Sequence, residues 1–307
     1  MPDDAGVDLV TGAFSYTGRA IARRLLEAGR RVKTLTAHPD RSPRLSAPIQ
    51  TEPYAFDEPE RLVGALDGVT TLYNTYWVRF ERGRTTFAQA VGNSRILFEA
   101  AHEAGVRRIV HISIANADAA PTLPYFAGKA QVEQELASAE IAHSIVRPTV
   151  VFGRGDVLVN NLAWLLRRFP VFAIPGSGGY AVRPVHVDDV ARLCVEAAGR
   201  DGNGSVDAVG PETFTFGEWV ALVRDAVGAR SWLVHVPAAL VSPVTGVLGH
   251  VVGDVLLTRE ELAGLMAGLV ATDGPATGRI AFSDWLAEQA PDLGSHYASE
   301  IGRHFDR

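Results

Sequence analysis

The sequence has a single cysteine, no long basic run and no long apolar run that is free of breaks. Cys194 alone cannot form a disulfide within the chain or a cysteine cluster around a metal ion, and the scattered histidines suggest no metal site either. The net charge of −6 argues against a nucleic-acid partner. The most apolar stretch, 234–257, is interrupted by two prolines, by His250 and by Asp254, which disfavours a membrane span. The acidic N-terminus does not resemble a secretory signal. We therefore expect a cytoplasmic protein.

Lysine is nearly as scarce as cysteine. Lys33 and Lys129 are the only lysines, and the other basic residues are arginines. A lysine kept in so lysine-poor a chain is a functional candidate. The 307 residues, 47% hydrophobic and 21% charged, are sufficient for one large domain or two joined ones.

Short apolar runs alternate with helical patterns through the first half of the chain. The predicted strands are 7–10, 32–36, 69–74, 108–113 and 142–151, and the predicted helices between them are 19–28, 59–66, 85–104 and 125–139. This alternation is typical of a parallel sheet that is covered by helices on both faces. We predict an α/β protein with a Rossmann-like, doubly wound parallel sheet.

The pattern changes after Gly153. Helices are predicted at 157–168, 187–198 and 215–227, whereas the proline-rich or glycine-rich segments 39–53 and 170–184 are predicted to be loops. We expect a dinucleotide-binding domain over residues 1–155, to which 184–210 returns, and a smaller, helix-rich C-terminal cap over 156–307.

A glycine-rich turn joins the first predicted strand to the first helix. Gly12 permits a tight turn, Gly18 permits close packing of the helix, and the free amides at the helix start face a pyrophosphate. Ser15 stands where a third glycine is usual, and its hydroxyl can donate a hydrogen bond to the phosphates. An ordinary strand–helix turn remains the alternative. The predicted cofactor contacts here are Gly12, Phe14, Ser15, Tyr16, Thr17, Gly18 and Arg19.

The second strand bears on the choice of cofactor. An acid at its end would bind the ribose 2′-hydroxyl of NAD(H) and repel a 2′-phosphate. No acid follows until Asp40, while Arg19, His38 and Arg41 are near, and guanidinium groups suit phosphate. We therefore expect NADP(H) to be preferred and keep NAD(H) as the alternative, because arginines are often merely solvated. Asp57 is predicted to accept a hydrogen bond from the adenine amino group.

Ser113, Tyr125 and Lys129 form the predicted catalytic set. Ser113 ends a strand, and the spacing of four places Tyr125 and Lys129 on one face of the next helix. A nearby ammonium lowers the pKa of a tyrosine, which can then exchange a proton with a substrate oxygen that a serine also holds. Lys129 can also donate to the nicotinamide ribose. The alternative is a surface pair without function.

With these residues assembled, the chain resembles the extended and atypical short-chain dehydrogenases/reductases of the NAD-dependent epimerase/dehydratase superfamily, over about residues 7–230. The segments that carry the resemblance are Thr11–Gly18, the set Ser113, Tyr125 and Lys129, Arg147–Gly153, and Pro184–Ala191. The branch with the accessory complex I subunit and NmrA-like regulators is the most similar. Some members of that branch bind NADPH without turnover, and those often lack the tyrosine or the lysine.

The resemblance implies further site residues. Asn74, Pro148 and Val150 are expected near the cofactor, and Asn93 is expected to support the catalytic set. The aromatic loop after the fourth strand, with Tyr76, Trp77 and Arg79, passes beside the nicotinamide in this family.

That loop can wall a pocket for an apolar or anionic substrate, or it can simply pack under the cap. Trp164 on the first cap helix has the same two interpretations. No metal is expected.

We therefore expect an NADP(H)-preferring oxidoreductase that reduces a carbonyl or oxidises an alcohol of a small molecule. A nucleotide-sugar epimerase or dehydratase, and a non-catalytic NADP(H)-binding sensor or assembly subunit, remain alternatives. We expect no nucleic-acid or membrane partner and leave a homo-oligomer open.

Overall fold

A computed structural model describes residues 6–37, 48–239 and 258–299. The predicted cofactor contacts His38 and Arg41 lie outside the described residues. The chain divides into two compact units. The first is Met1–Pro148 with Val187–Ala208, and the second is Thr149–His186 with Val209–Arg307.

A seven-stranded parallel sheet forms the first unit. Its strands are β1 (Val7–Thr11), β2 (Arg31–Thr36), β3 (Gln50–Pro53), β4 (Val69–Asn74), β5 (Arg108–Ile112), β6 (Ala142–Pro148) and β11 (Gly204–Ala208). They lie in the order β11-β6-β5-β4-β1-β2-β3, and every pairing is parallel. The buried apolar residues of the central strands require cover on both faces.

Five helices of the first unit provide this cover. They are α1 (Tyr16–Glu27), α2 (Pro59–Leu66), α3 (Phe87–Glu103), α4 (Pro124–Ser138) and α6 (Val187–Ala198). Helix α1 packs against α6, while α3 packs against both α2 and α4. The predicted α/β fold with a Rossmann-like, doubly wound parallel sheet is confirmed by this architecture.

The second unit combines helices with short strand pairs. Its helices within the described residues are α5 (Leu158–Arg168), α7 (Phe216–Ala226), α8 (Arg259–Met266) and α9 (Phe282–Gln289). Its strand pairs are β7 (Val150–Phe152) with β10 (Pro184–His186), β8 (Val171–Pro175) with β13 (Trp232–Val236), and β9 (Ala181–Val182) with β12 (Phe214–Thr215). Its core is rich in aromatic residues, with Phe152, Trp219, Phe282 and Trp285 buried together.

Several strands lie where the sequence predicted loops or made no prediction. β3 lies within the predicted loop 39–53, β8 and β9 lie within 170–184, and β11 was not predicted. The predicted strand 142–151 is instead two strands, β6 and β7, which belong to different units. None of the helices in the described ranges is long and apolar enough to cross a membrane.

Candidate active site

The turn between β1 and α1 needs glycine at two positions. Gly12 has a φ of +64°, and its amide donates to the carbonyl of Leu35 at 2.7 Å. A Cβ at Gly18 would lie 2.2 Å from the carbonyl oxygen of Gly12, so only glycine allows α1 to approach the turn this closely. Both glycines therefore have the local roles that the sequence predicted.

The start of α1 suits an anion. Its first turn contains no acidic residue, and Ser15 at the N-cap makes no side-chain bond to the helix amides. The Ser15 hydroxyl instead donates to the carbonyl of Gly12 at 2.7 Å. Phe14, Tyr16 and Thr17 are partly buried, and Arg19 is exposed. Helix-terminal amides without a side-chain cap are the usual binding site of a phosphate.

Asn74 serves the framework of the site with its side chain. Its Oδ1 accepts from Thr11 Oγ1 at 3.2 Å and from the amide of Tyr76 at 3.0 Å, and its Nδ2 lies 3.1 Å from His111 Nδ1. The side chain is fully buried and its polar atoms are engaged. Asn74 thus connects the ends of three strands. The role of Asn74 at the cofactor stays a prediction.

His111 was not predicted to lie in the site. It is fully buried, and burial, followed by the positive charge of Lys129, lowers its pKa well below the usual value. The ring is therefore neutral at physiological pH. Its Nδ1 accepts from Asn74 Nδ2, which places the ring proton on Nε2. In the described part of the chain Nε2 is buried without a hydrogen-bond partner.

Ser113 and Lys129 are both buried in the first unit. Ser113, 2% exposed, follows β5, and its hydroxyl has no hydrogen-bond partner among the described residues. Lys129 is 4% exposed, and its Nζ donates to the carbonyl of Ile112 at 3.1 Å. The ammonium is thus bonded to the residue that precedes the serine.

Two opposing influences set the pKa of Lys129. Burial lowers its pKa to about 7, although Glu133, one turn later on α4, raises it. Glu133 also forms an ion pair with Arg147, whose Nε lies 3.0 Å from the carboxylate. The predicted catalytic lysine consequently changes its charge near neutral pH. The spacing of four between Lys129 and Glu133 is the sequence signal that could have identified this carboxylate.

Tyr125 lies in the first turn of α4, one turn before Lys129. Its ring meets Trp77 and Phe87 edge-on, with centroids at 6.0 and 5.8 Å. Trp77 in turn stacks on Phe87 at 5.9 Å. The structure thus places Trp77, predicted as a substrate residue, in contact with the predicted catalytic residue Tyr125. Phe87 was not predicted, and no local spacing marks it.

Tyr76 and Asn93 contact each other. The Asn93 amide donates to the Tyr76 hydroxyl at 2.8 Å, and the Tyr76 ring lies 5.2 Å from that of Tyr54. Asn93 therefore supports the aromatic loop after β4 in this structure. Arg79 is partly buried on the same loop, and Asp57 is exposed after β3.

The remaining predicted residues belong to different units. Pro148 ends β6 in the first unit, and its carbonyl accepts from the amide of Ala115 at 2.9 Å. Val150 lies on β7 in the second unit. Trp164, also in the second unit, packs against Phe169 and Tyr297. These contacts leave the cofactor and substrate roles of all three as predictions.

Comparison with known proteins gives the site a context. Residues 12–161 match the family described as NAD(P)H-binding. The chain is 32% identical over 168 residues to the NADH-ubiquinone oxidoreductase 40 kDa subunit of Neurospora crassa, across 53% of this chain and 43% of that protein. It is 28% identical over 255 residues to a ceramide reductase of Caulobacter vibrioides, across 76% of this chain and 75% of that protein.

Solved structures share the fold. The triphenylmethane reductase of Citrobacter sp. in complex with NADP(H) has a TM-score of 0.70 at 16% identity, with 93% and 99% of the two chains covered. MoeE5 in complex with UDP-glucose and NAD has a TM-score of 0.67 at 20% identity, with 93% and 97% covered. An NAD(P)H-binding domain and a likeness to respiratory-complex subunits, both expected from the sequence, are confirmed by these comparisons. The chain spans about half the length of the respiratory-complex subunits that it matches.

Proposed function

We propose that this chain is an NADP(H)-preferring oxidoreductase that reduces a carbonyl group of a small molecule or oxidises the corresponding alcohol. One observation carries the proposal. Lys129 is buried, with Nζ bonded to the carbonyl of Ile112, the residue before Ser113, and lies one helical turn after Tyr125. An interior lysine is costly to keep, and such groups are concentrated at functional sites.

The residues of the first unit fit a nicotinamide dinucleotide. The turn at Gly12 and Gly18 and the uncapped start of α1 would hold its pyrophosphate. The unpartnered hydroxyl of Ser113 and the ammonium of Lys129 are suitable donors for substrate and ribose oxygens. When bound, the nicotinamide supplies or accepts the hydride.

The protein's own part is proton transfer and charge stabilisation. Tyr125 gives a proton to the carbonyl oxygen during reduction, or takes one from the alcohol during oxidation. Ser113 donates a hydrogen bond to the same oxygen and stabilises the charge that develops there. Lys129, when protonated, favours the phenolate form of Tyr125 and eases its proton transfer.

The proposed preference for NADP(H) depends on the end of β2. This strand ends at Thr36 without an acid, and Arg19 is exposed at the start of α1. An arginine suits the 2′-phosphate that an acid would repel. NAD(H) remains the alternative cofactor.

A non-catalytic NADP(H)-binding subunit or sensor is the second candidate. The identity of 32% to the fungal respiratory subunit favours it. A nucleotide-sugar epimerase is a third candidate, suggested by the shared fold of MoeE5 with bound UDP-glucose and NAD. The oxidoreductase needs the hydroxyl of Tyr125 for proton transfer, whereas the non-catalytic subunit or sensor does not. A variant without that hydroxyl therefore distinguishes these two candidates.

We expect Tyr125→Phe to bind NADPH nearly as well as the wild type and to lower turnover by about 10²–10⁴-fold, because only the proton-transferring hydroxyl is lost. The measurement follows NADPH absorbance with a panel of aldehydes, ketones and quinones, alongside fluorescence titrations with NADPH and NADH. Tyr73→Phe, which removes a hydroxyl buried in the core of the same unit, is the control and should keep its turnover.

Two outcomes would contradict the oxidoreductase. The wild type could bind NADPH and reduce nothing in the panel, or Tyr125→Phe could turn over as fast as the wild type. Either result would favour the sensor or assembly role. Equal affinity for NADPH and NADH would remove the argument from the end of β2.

A further inference from the structure

Trp77 contacts Lys129 through the face of its indole ring. The Nζ of Lys129 lies 4.7 Å from the ring centroid of Trp77, within the range of a cation–π interaction. The hydrogen bond to Ile112 fixes the ammonium from the strand side. A buried cation gains most from such a ring, because no water competes with it.

The same ring fits against α4 at a glycine. A Cβ at Gly128 would lie 2.9 Å from Cη2 and 3.3 Å from Cζ2 of Trp77. Any other residue would therefore push the indole away from the helix or the helix away from the sheet. Gly128 lies in the interior of α4, where glycine is otherwise unfavourable. Trp77 and Gly128 are thus a matched pair.

Ring contacts, and not a hydrogen bond from Nε1, hold the indole of Trp77 in place. Phe87 stacks on it with an interplanar angle of 8°, and Tyr125 meets it edge-on. Its Nε1 is buried without a hydrogen-bond partner in the described part of the chain. A tryptophan at this position therefore leaves a polar group unsatisfied, while its large ring face covers the lysine.

We propose that Trp77 is a positioning residue that holds the ammonium of Lys129 under Tyr125, with Gly128 providing the space for its ring. The inference rests on the proposed function for its catalytic consequence, but its physical content does not require turnover. Besides Tyr125, the titratable groups that interact with Lys129 in the described part of the chain are Glu133 on α4 and His111 on β5. Both remain in place in the variants below.

The chain's two lysines allow a direct test. Protein labelled with [ε-¹³C]lysine gives one signal for Lys129 and one for Lys33, which serves as an internal reference. We expect Trp77→Leu to lower the titration midpoint of Lys129 by about 0.5–1.5 pH units, because the ring stabilises the charged form. Trp77→Phe, which keeps an aromatic face, should shift it less. The Lys33 signal should not move.

Fluorinated tryptophan tests the same contact without changing its shape. Each fluorine withdraws electron density from the ring face, so the Lys129 midpoint should fall stepwise with fluorine number. This arm needs no substitution and decides the question even where Trp77→Leu fails to fold. An unchanged midpoint in both arms, or an equal shift in Trp77→Leu and Trp77→Phe, would overturn the proposal.

A double-mutant cycle with Trp77 tests the role of Gly128. Introducing Gly128→Ala into the wild type should lower the Tm more than introducing it into Trp77→Phe. The phenylalanine ring lacks Cη2 and Cζ2, the two atoms that the new Cβ would meet. Gly92→Ala on α3, where nothing lies within 4 Å, is the control. Equal costs of Gly128→Ala in the two backgrounds would contradict the pairing.

Turnover then separates the inference from the proposed function. We expect Trp77→Leu to lower kcat more than it raises KM, while Trp232→Leu, at a tryptophan 76% exposed, leaves both unchanged. If the wild type reduces no carbonyl compound, the proposed function is wrong and the lysine titration still tests Trp77. If Trp77→Leu shifts the titration and leaves kcat unchanged, Trp77 positions Lys129 without serving the reaction, and the catalytic part of the inference is wrong.

Discussion

The β1–α1 turn and the surroundings of Lys129 satisfy their polar groups to different degrees. In the turn, the amide of Gly12, the amide and hydroxyl of Ser15 and the hydroxyl of Thr34 all have partners within the protein. Around Lys129, the hydroxyl of Ser113, Nε2 of His111 and Nε1 of Trp77 are buried without partners in the described part of the chain.

This difference predicts that the turn serves stability and cofactor binding, whereas the surroundings of Lys129 serve turnover. In the turn, the hydroxyls of Ser15 and Thr34 are already bonded within the protein, and the uncapped amides at the start of α1 would bind a cofactor, so damage to the turn should affect stability and binding together. Each unsatisfied buried group costs about 1–3 kcal/mol of stability. Such groups persist where a ligand or substrate satisfies them, so removing one should affect turnover and spare the fold.

Among the variants that test this difference between the two regions, Ser113→Ala should show the largest effect. We expect turnover to fall by about 10²–10³-fold, the usual effect of removing one donor to a developing oxyanion. The free energy of unfolding should stay level or rise, because no hydrogen bond is lost. The measurements are NADPH-dependent turnover and urea unfolding of the same preparation.

Ser94→Ala is the matched control for that comparison. Ser94 is also fully buried, but its hydroxyl donates to the carbonyl of Ala90 at 2.9 Å. Its loss should cost about 1 kcal/mol of stability and leave turnover unchanged. If Ser113→Ala were the more destabilising of the two, the contrast between satisfied and unsatisfied groups would be wrong.

Gly18→Ala should damage the turn. Its Cβ would meet the carbonyl of Gly12, which belongs to the backbone and cannot rotate away. We expect a loss of about 1–3 kcal/mol in the free energy of unfolding, together with weaker NADPH binding. Gly64→Ala, exposed on α2 with nothing within 4 Å, should be neutral or stabilising. Similar thermal shifts in both variants would show that the turn is not close-packed in solution.

The pH dependence of stability should report Lys129. Its pKa is about 7 in the folded protein and about 10.4 in an unfolded chain, so between these values the unfolded state binds more protons. Stability should therefore rise with pH across this window, by at most about 1.4 kcal/mol per unit from this group.

Lys129→Met should flatten that rise, and Lys33→Met should not. The comparison uses urea unfolding of the cofactor-free protein at pH 7 and pH 9. A wild-type slope that survives in Lys129→Met would mean that the lysine is charged and hydrated in the folded protein.

The sequence predicted the central strands well because each contains a short run of buried apolar or β-branched residues. β1, β4 and β5 are buried on both faces, so their composition alone marks them. β11 contains glycine, serine and aspartate and lies at the edge of the sheet, so nothing local marks it. It forms because its backbone pairs with β6, about sixty residues away in the sequence.

The same limit applies to the candidate site. Gly12 with Gly18, and Tyr125 with Lys129, were predicted because the two members of each pair are close to each other along the chain. His111 was not predicted, because its place depends on the parallel register that sets β5 beside β4. Residues whose relation depends on strand order need the fold before their contacts can be recognised.

Substitutions of Ser15 should show the smallest effect. They test whether the turn, unlike the surroundings of Lys129, keeps its hydroxyl bonded within the protein when the cofactor binds. The sequence suggested a hydroxyl that donates to phosphate, but in this structure its proton is given to the Gly12 carbonyl. We therefore expect Ser15→Ala to cost about 0.5–1.5 kcal/mol of stability and to leave NADPH affinity within a few-fold of the wild type. Ser15→Gly removes the same bond and adds backbone freedom, so it should be less stable than Ser15→Ala. Calorimetric titration with NADPH and thermal unfolding of both variants provide the measurement. A tenfold or greater loss of affinity in Ser15→Ala, with stability unchanged, would mean that the hydroxyl turns to the cofactor on binding. The turn would then resemble the surroundings of Lys129, because it would also hold a polar side chain that bonds the ligand.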